Sequence, residues 1–352
     1  MKPLAVVTRN DYIESIHYGY VCIVDSSGKV LYNLGDYSTK IFFRSSAKPL
    51  QVIPLLQSGA AKAFDFSRKE IAIACSSHNG QKIHQETVAK ILKKLNLDNT
   101  NLHCGLMTPY SEEENKRLIT EGQSPSVLHC SCSGKHSAML ALAKFIGYST
   151  SDYEKITNPI QQEILRTISE FTDENINSIP IGIDGCGAPI YLLPINKIAL
   201  SYARLVEYSQ NPQSPYHYSC KAIFDSMTQF PEMLAGDYEF CTELMQVTKN
   251  KLIGKVGCEA VYCLGIKEAN LGVCIKIVDG NERAVYPVVV QVLKDLGILS
   301  TDETNSLKHW YRQVLKNNLS EIIGEILPAF SLKSPSDRSL SPGTRYQDFS
   351  LH

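Results

Sequence analysis

A serine followed three residues later by a lysine, Ser45 and Lys48, is the first place in this chain where residue type and spacing suggest chemistry. A serine hydroxyl is a poor nucleophile near neutral pH unless a neighbouring base takes its proton. A lysine amine whose pKa is lowered by burial can be that base. The pair lies in Arg44-Ser45-Ser46-Ala47-Lys48-Pro49, ahead of the apolar run from Leu50 to Leu56. A helix starting near Ser45 sets positions i and i+3 on one face, so hydroxyl and amine can meet. Pro49 suits a first helical turn, whereas Pro54 is expected to kink the helix or end it. Short spacings of this kind also arise by chance, so the weight falls on what lies downstream.

Four further segments set reactive side chains beside glycine turns. Cys75-Ser76-Ser77-His78-Asn79-Gly80 offers a second hydroxyl as nucleophile, proton relay or substrate ligand, and reads equally well as a plain loop. Cys130-Ser131-Cys132-Ser133-Gly134-Lys135-His136-Ser137 opens an apolar helix. The positive end of a helix dipole lowers a thiol's pKa and favours bound anions there. It is not a phosphate-binding loop, because no glycine precedes at the required spacing and no Ser or Thr follows Lys135 directly. Asp184-Gly185-Cys186-Gly187-Ala188-Pro189 flanks a thiol with glycines that let the backbone approach a ligand. Cys132 and Cys186 make two soft ligands, where zinc takes four. Lys255, in Gly254-Lys255-Val256-Gly257-Cys258-Glu259, sits between glycines just before an expected strand, reaching either into a cleft or into solvent.

These segments need elements to carry them. Strands are expected at residues 18–24 and 29–34, joined by the turn Asp25-Ser26-Ser27-Gly28, and a short one at 40–43 runs straight into Ser45. Ser67-Arg68-Lys69-Glu70 reads as a capping box. Helical periodicity follows at 81–95, 111–120, 135–145 and 159–171. A strand at 179–184, helices near 195–206, 218–229 and 238–247, and strands at 259–266 and 271–278 come next. A helix at 283–296 and a closing strand at 321–327 complete the ordered part. The arrangement is α+β: an antiparallel sheet built from both ends of the chain, with a helical insertion. Residues 1–330 are read as one catalytic domain, with a sheet subdomain at about 1–80 and 180–330 and the insertion at about 81–179. Residues 331–352, rich in Ser, Pro and charge, are read as a flexible tail.

Composition narrows the partners. Of 352 residues, 43% are apolar and 20% charged, ordinary values for a soluble domain. The 35 Lys and Arg balance 36 Asp and Glu, so neither nucleic acid nor an anionic membrane is indicated. The apolar run after Met1 breaks at Thr8-Arg9-Asn10-Asp11, too short for a signal-peptide core, and no later run reaches the length of a membrane span. A cytoplasmic protein is expected. Eleven cysteines, an odd count without an export signal, argue against a disulfide framework.

Taken in order, Arg44-Ser45-Ser46-Ala47-Lys48-Pro49, Ser76-Ser77-His78, Cys132-Ser133-Gly134-Lys135-His136, Asp184 to Pro189 and Lys255 to Glu259 resemble the rhizobial-type (class 3) L-asparaginases. The resemblance spans about residues 3–330. It implies a serine β-lactamase- and glutaminase-like fold, a homodimer, and hydrolysis of L-asparagine to aspartate and ammonia. It implies two Ser-Lys pairs, Ser45 with Lys48 and Ser77 with Lys255. It further implies a zinc ion held by Cys132, Lys135 and Cys186 with water completing the tetrahedron, and Arg44, His78, His136 and Asp184 around the substrate. The surroundings of Ser77 and the thiol at Cys258 match the pattern least well. Another S-x-x-K acyl hydrolase, such as a glutaminase or a β-lactam or peptidoglycan enzyme, would use the same nucleophile. A zinc-holding amino-acid-binding protein without catalysis is the reading from a different class.

Overall fold

The computed structural model describes residues 1–332 together with Pro342, Arg345 and Tyr346. In chain order its strands are β1 (Lys2–Arg9), β2 (Tyr12–Asp25), β3 (Val30–Leu34), β4 (Lys40–Phe42), β5 (Ile181–Ile183), β6 (Pro189–Pro194), β7 (Leu252–Gly257), β8 (Val261–Ile266), β9 (Leu271–Ile277), β10 (Gln313–Lys316) and β11 (Ile322–Pro328). The main sheet runs β10-β11-β1-β2-β9-β8-β7 and is antiparallel throughout. The strand β2 is long enough to pair with β1 along its first half and with β3 along its second. As expected, both ends of the chain build the sheet. The strands β4, β6 and β5 form a separate three-stranded sheet.

The helices are α1 (Lys48–Gln57), α2 (Ala60–Ala63), α3 (Arg68–Ala74), α4 (Lys82–Lys94), α5 (Glu112–Thr120), α6 (Ser133–Ile146), α7 (Pro159–Thr172), α8 (Ile195–Gln210), α9 (His217–Gln229), α10 (Phe240–Thr248), α11 (Val285–Asp295), α12 (Thr301–Ser306) and α13 (Lys308–Tyr311). The capping box forms, with Ser67 accepting from the Glu70 N–H and Glu70 closing back on Ser67. α8 lies across β2, β8 and β9, and α11 packs on β1, β9 and β11. Val21, Ile23, Val273, Ile275, Ala199 and Leu205 are buried in this core. Each fully buried Val, Leu or Ile side chain contributes about 1.5–3 kcal/mol.

Three expectations are corrected. Lys255 lies inside β7 and not ahead of a strand; the segment is short and glycine-rich, and pairing with β8 from Leu252 to Gly257 makes it extended. Pro189, read as the end of a turn, instead opens β6, which forms because both β4 and β5 pair with it. Of the two outcomes expected at Pro54, a kink or an end, the end is overturned, since α1 continues to Gln57. Packing explains that last result: α1 is buried from Lys48 to Leu56 against α6, α7 and α9, and this contact outweighs one lost backbone hydrogen bond. Most of the tail, 331–352, lies outside the described residues. Where it is described, Tyr346 N–H donates to the Asp11 carbonyl at 2.7 Å and Arg345 stands over the Tyr12 ring.

Candidate active site

Four elements converge. Residues Arg44–Ala47 form a 3₁₀ turn that leads directly into α1, with Lys48 its first residue. Arg44 adopts a left-handed backbone, φ 51°, which a non-glycine side chain takes only under constraint from its surroundings. The loop after α3 carries Ser76 and Ser77 and is held by backbone bonds from Ser77 to Leu234 and from Asn79 to Ala235. The start of α6 is pressed onto α3 at Gly134, where a Cβ would stand 2.1 Å from the Ile73 carbonyl oxygen. On the sheet side, a Cβ at Gly257 would lie 3.2 Å from both Arg44 Cβ and Ser46 N, so β7 closes against the turn. Two glycines thus let the pieces approach closely enough to share one site.

At the centre is Ser77. Lys48 Nζ and Lys255 Nζ each stand 2.9 Å from its Oγ. Both lysines are fully buried, while Ser77 remains partly open. Lys48 also donates to the Ser76 and Ser131 carbonyls, and Lys255 to the Val256 carbonyl. Neither amine is bonded to a carboxylate among the described residues. Burial, and then the charge of Lys48, push the Lys255 amine down to about 8. Of the two pairs inferred from the resemblance, Ser77 with Lys255 is therefore in contact. Lys48 reaches past its near neighbour: Ser45 is buried beside it and makes no side-chain hydrogen bond among the described residues.

Next to this centre lie Cys132, Lys135 and Cys186, all buried. Lys135 Nζ donates to Cys186 Sγ at 3.1 Å. Hydrogen bonds from the Cys130 and Cys186 thiols hold the Cys132 thiol well below its usual range against the effect of burial, and the charges of Lys48 and Lys135 add to this. Burial disfavours the charge on Lys135, but the sulfurs of Cys186 and Cys132 outweigh it and raise its pKa. Two soft sulfurs and one nitrogen in mutual contact form a donor set suited to a tetrahedral soft-to-borderline ion with one position left open. No group of three or more His, Cys, Asp or Glu side chains among the described residues forms such a cluster, so a metal here requires Lys135 as ligand.

The remaining predicted residues fall into two groups. Arg44 pairs with Asp184 at 3.1 Å, and the Asp184 carboxylate also accepts the Gly185 N–H, so these two face each other at the site's edge. His136 is fully buried, and burial followed by the Lys135 charge pushes its imidazole down to about 3. His78 lies behind Ser77 with both nitrogens engaged. Its Nδ1 accepts from Gly80 N–H and its Nε2 faces Ser133 Oγ at 2.9 Å, so it braces the Ser77 loop against α6. Sequence reasoning missed Tyr153, whose hydroxyl lies 2.7 Å from His136 Nδ1. No motif marks this tyrosine; it arrives from the connection between α6 and α7.

A family model described as L-asparaginase II matches residues 5–328. The chain belongs to the L-asparaginase II family. That membership supports asparaginase activity in general, an amidohydrolase acting on a small molecule. All the residues gathered above lie inside the matched span. No curated protein matches the chain. Among solved structures, a proposed beta-lactamase from Bacteroides dorei DSM 17855 is 12% identical, with 78% of this chain and 93% of that chain covered and a TM-score of 0.42, too slight a likeness to argue from. No helix among the described residues is long and apolar enough to cross a membrane.

Proposed function

We propose that this member of the L-asparaginase II family hydrolyses L-asparagine to L-aspartate and ammonia, with Ser77 as the attacking hydroxyl, Lys255 as its base and Lys48 as a second amine holding the hydroxyl. The observation that carries the reading is the pair of buried amines, each 2.9 Å from Ser77 Oγ. An amide is a poor electrophile and needs an activated nucleophile, stabilisation of the oxyanion and a proton for the leaving amine. Lys255, lowered to about 8, is neutral often enough near neutral pH to take the Ser77 proton. The Ser77 oxygen attacks the side-chain carbonyl, and the tetrahedral intermediate collapses to an ester as ammonia leaves with the proton from Lys255. Water, deprotonated in turn by Lys255, then cleaves the ester and restores Ser77.

The other residues support this chemistry. The start of α6, which no side chain caps, presents the positive end of its dipole toward developing negative charge. Ser45, one 3₁₀ turn before Lys48, supplies the second hydroxyl as proton relay or substrate contact. Arg44 receives the α-carboxylate, and Asp184 and His136 orient the substrate. Zinc, held by Cys132, Lys135 and Cys186, would supply a Lewis-acid centre that orients a substrate oxygen. Lys135 must give up its proton to act as a ligand, so metal affinity rises with pH. We further read the chain as a cytoplasmic homodimer. The deciding assay is ammonia release from asparagine and from glutamine, with and without a chelator and added zinc, by wild type, S77A and K255M. Near-wild-type turnover by either variant removes the mechanism, and a preference for glutamine moves the substrate by one methylene.

A further inference from the structure

His136 carries a buried nitrogen with no partner, and the residue that leaves it so is Tyr153. The imidazole is fully buried on α6, one turn after Cys132, and its Nε2 has no hydrogen bond among the described residues. A buried polar group left unpaired is costly, and native proteins keep few of them without a function. The Tyr153 hydroxyl decides what kind of group it is. This hydroxyl accepts the His103 N–H at 2.8 Å and lies 2.7 Å from His136 Nδ1. With the backbone N–H already supplying a donor, the phenolic proton has His136 Nδ1 as its acceptor. An imidazole accepting at Nδ1 bears its proton on Nε2.

Tyr153 is itself fixed. It is fully buried, the Gln161 amide donates to its carbonyl at 2.7 Å, and its ring stands edge-on to His136 and tilted against His103. The edge of His136 turned away from Tyr153 is the Nε2 edge. Apart from His103, which lies on the tyrosine side, the charged groups acting most strongly on this ring are Lys135, Cys132 and Lys48, all members of the site. We infer that Tyr153 is a positioning residue that holds His136 with Nδ1 as acceptor and its proton on Nε2, so that this N–H donates to an oxygen of the bound amino acid. The inference rests on the asparaginase reading for the identity of that amino acid.

The test combines a spectrum with a double-mutant cycle on the full-length enzyme. Long-range ¹H–¹⁵N correlation of the His136 ring, assigned by its loss in H136Q, is expected to show protonated Nε2 and bare Nδ1. Added L-aspartate, the product, should shift the Nε2–H resonance. In Y153F the ring should become a mixture of tautomers, with kcat/KM for asparagine falling about tenfold, the scale of one hydrogen bond. Glutamine at position 136 supplies an amide N–H near the place of Nε2 without any tautomer to choose. In the H136Q background Y153F should therefore cost less than twofold. A full Y153F penalty in that background would reduce Tyr153 to a packing role. A protonated Nδ1 in wild type, or a resonance unmoved by saturating aspartate, would overturn the inference. Absence of ammonia release from wild type would instead sink the asparaginase reading, leaving the tautomer to the spectrum.

Discussion

Two buried polar clusters in this protein obey opposite rules. Around Glu114 every charge meets its counterpart: Arg117 donates to the carboxylate at 2.8 and 3.0 Å, Gln85 at 2.9 Å, and His129 Nε2 lies 3.1 Å away. The hydrogen bonds from Arg117, and then those from Gln85 and His129, hold the Glu114 carboxyl down at about 2 against its partial burial. Around Ser77, three buried lysines gather with no carboxylate hydrogen-bonded to any of them among the described residues. The first cluster ties α5 to α4 and to the turn before α6. The second leaves buried amines without carboxylate partners, an arrangement that perturbs protonation and marks a candidate functional site.

The contrast can be broken most forcefully at Ser77. S77A should lower kcat for asparagine on the order of 10³-fold or more, K255M by about 10²–10⁴-fold, and S45A by about tenfold. E114Q should leave kcat within about twofold. A steady-state series of these four variants checks the ranking; an S45A loss equal to that of S77A would return the attacking role to Ser45.

Stability should move the other way. E114Q breaks a satisfied network and should cost about 2–3 kcal/mol, allowing for the solvent reach of Arg117. K255M removes a buried amine whose charge the fold disfavours, and should gain about 1–3 kcal/mol while losing the turnover given above. Urea unfolding of both variants at pH 7 reads the difference. A destabilised K255M would mean that the lysine serves packing more than proton transfer.

The pH dependence sharpens the same comparison. Glu114 is held at about 2 in the fold against 4.5 as its ordinary value. Its contribution is therefore complete above pH 4.5 and lost as pH falls toward 2. Lys255 is lowered from 10.5 to about 8, so between these values the unfolded chain holds more protons and stability rises with pH. A base must be unprotonated to act, so kcat/KM should climb with pH and level off above about 8. E114Q should leave that profile in place. A profile flat from pH 6 to 9 would exclude Lys255 as the base.

The smallest effect expected is that of the metal. One zinc per chain should be found by elemental analysis and be lost in C132A or C186A, with chelation lowering kcat/KM by about tenfold. Unchanged activity at zero metal content would confine the sulfur cluster to a structural part.

Much of this was legible in the residues because the signals are local. The capping box at Ser67 and Glu70, the periodicity of α4, α6 and α7, and the strands on either side of Asp25–Gly28 depend on neighbours within a few positions. The site residues could be picked out because their types are unusual beside glycine turns. What escaped was set by partners far along the chain. Leu252 to Gly257 shows no strand alternation and becomes extended only by pairing with β8. Tyr153 has no motif, and its role exists only because the connection after α6 folds back onto His136.

The candidate reactive groups, the α+β pattern and the membership in an asparaginase family were legible in the order of amino acids alone. Which lysine serves which serine was not. Lys48 is three residues from Ser45, yet its amine bonds to Ser77, 29 residues on, and Lys255 joins it from 178 residues away. Spacing along a helix or 3₁₀ turn restricts where a side chain starts, but a lysine has four more carbons with which to choose its end. The acceptors left within reach once water is excluded make that choice, and only the packed tertiary structure decides which they are.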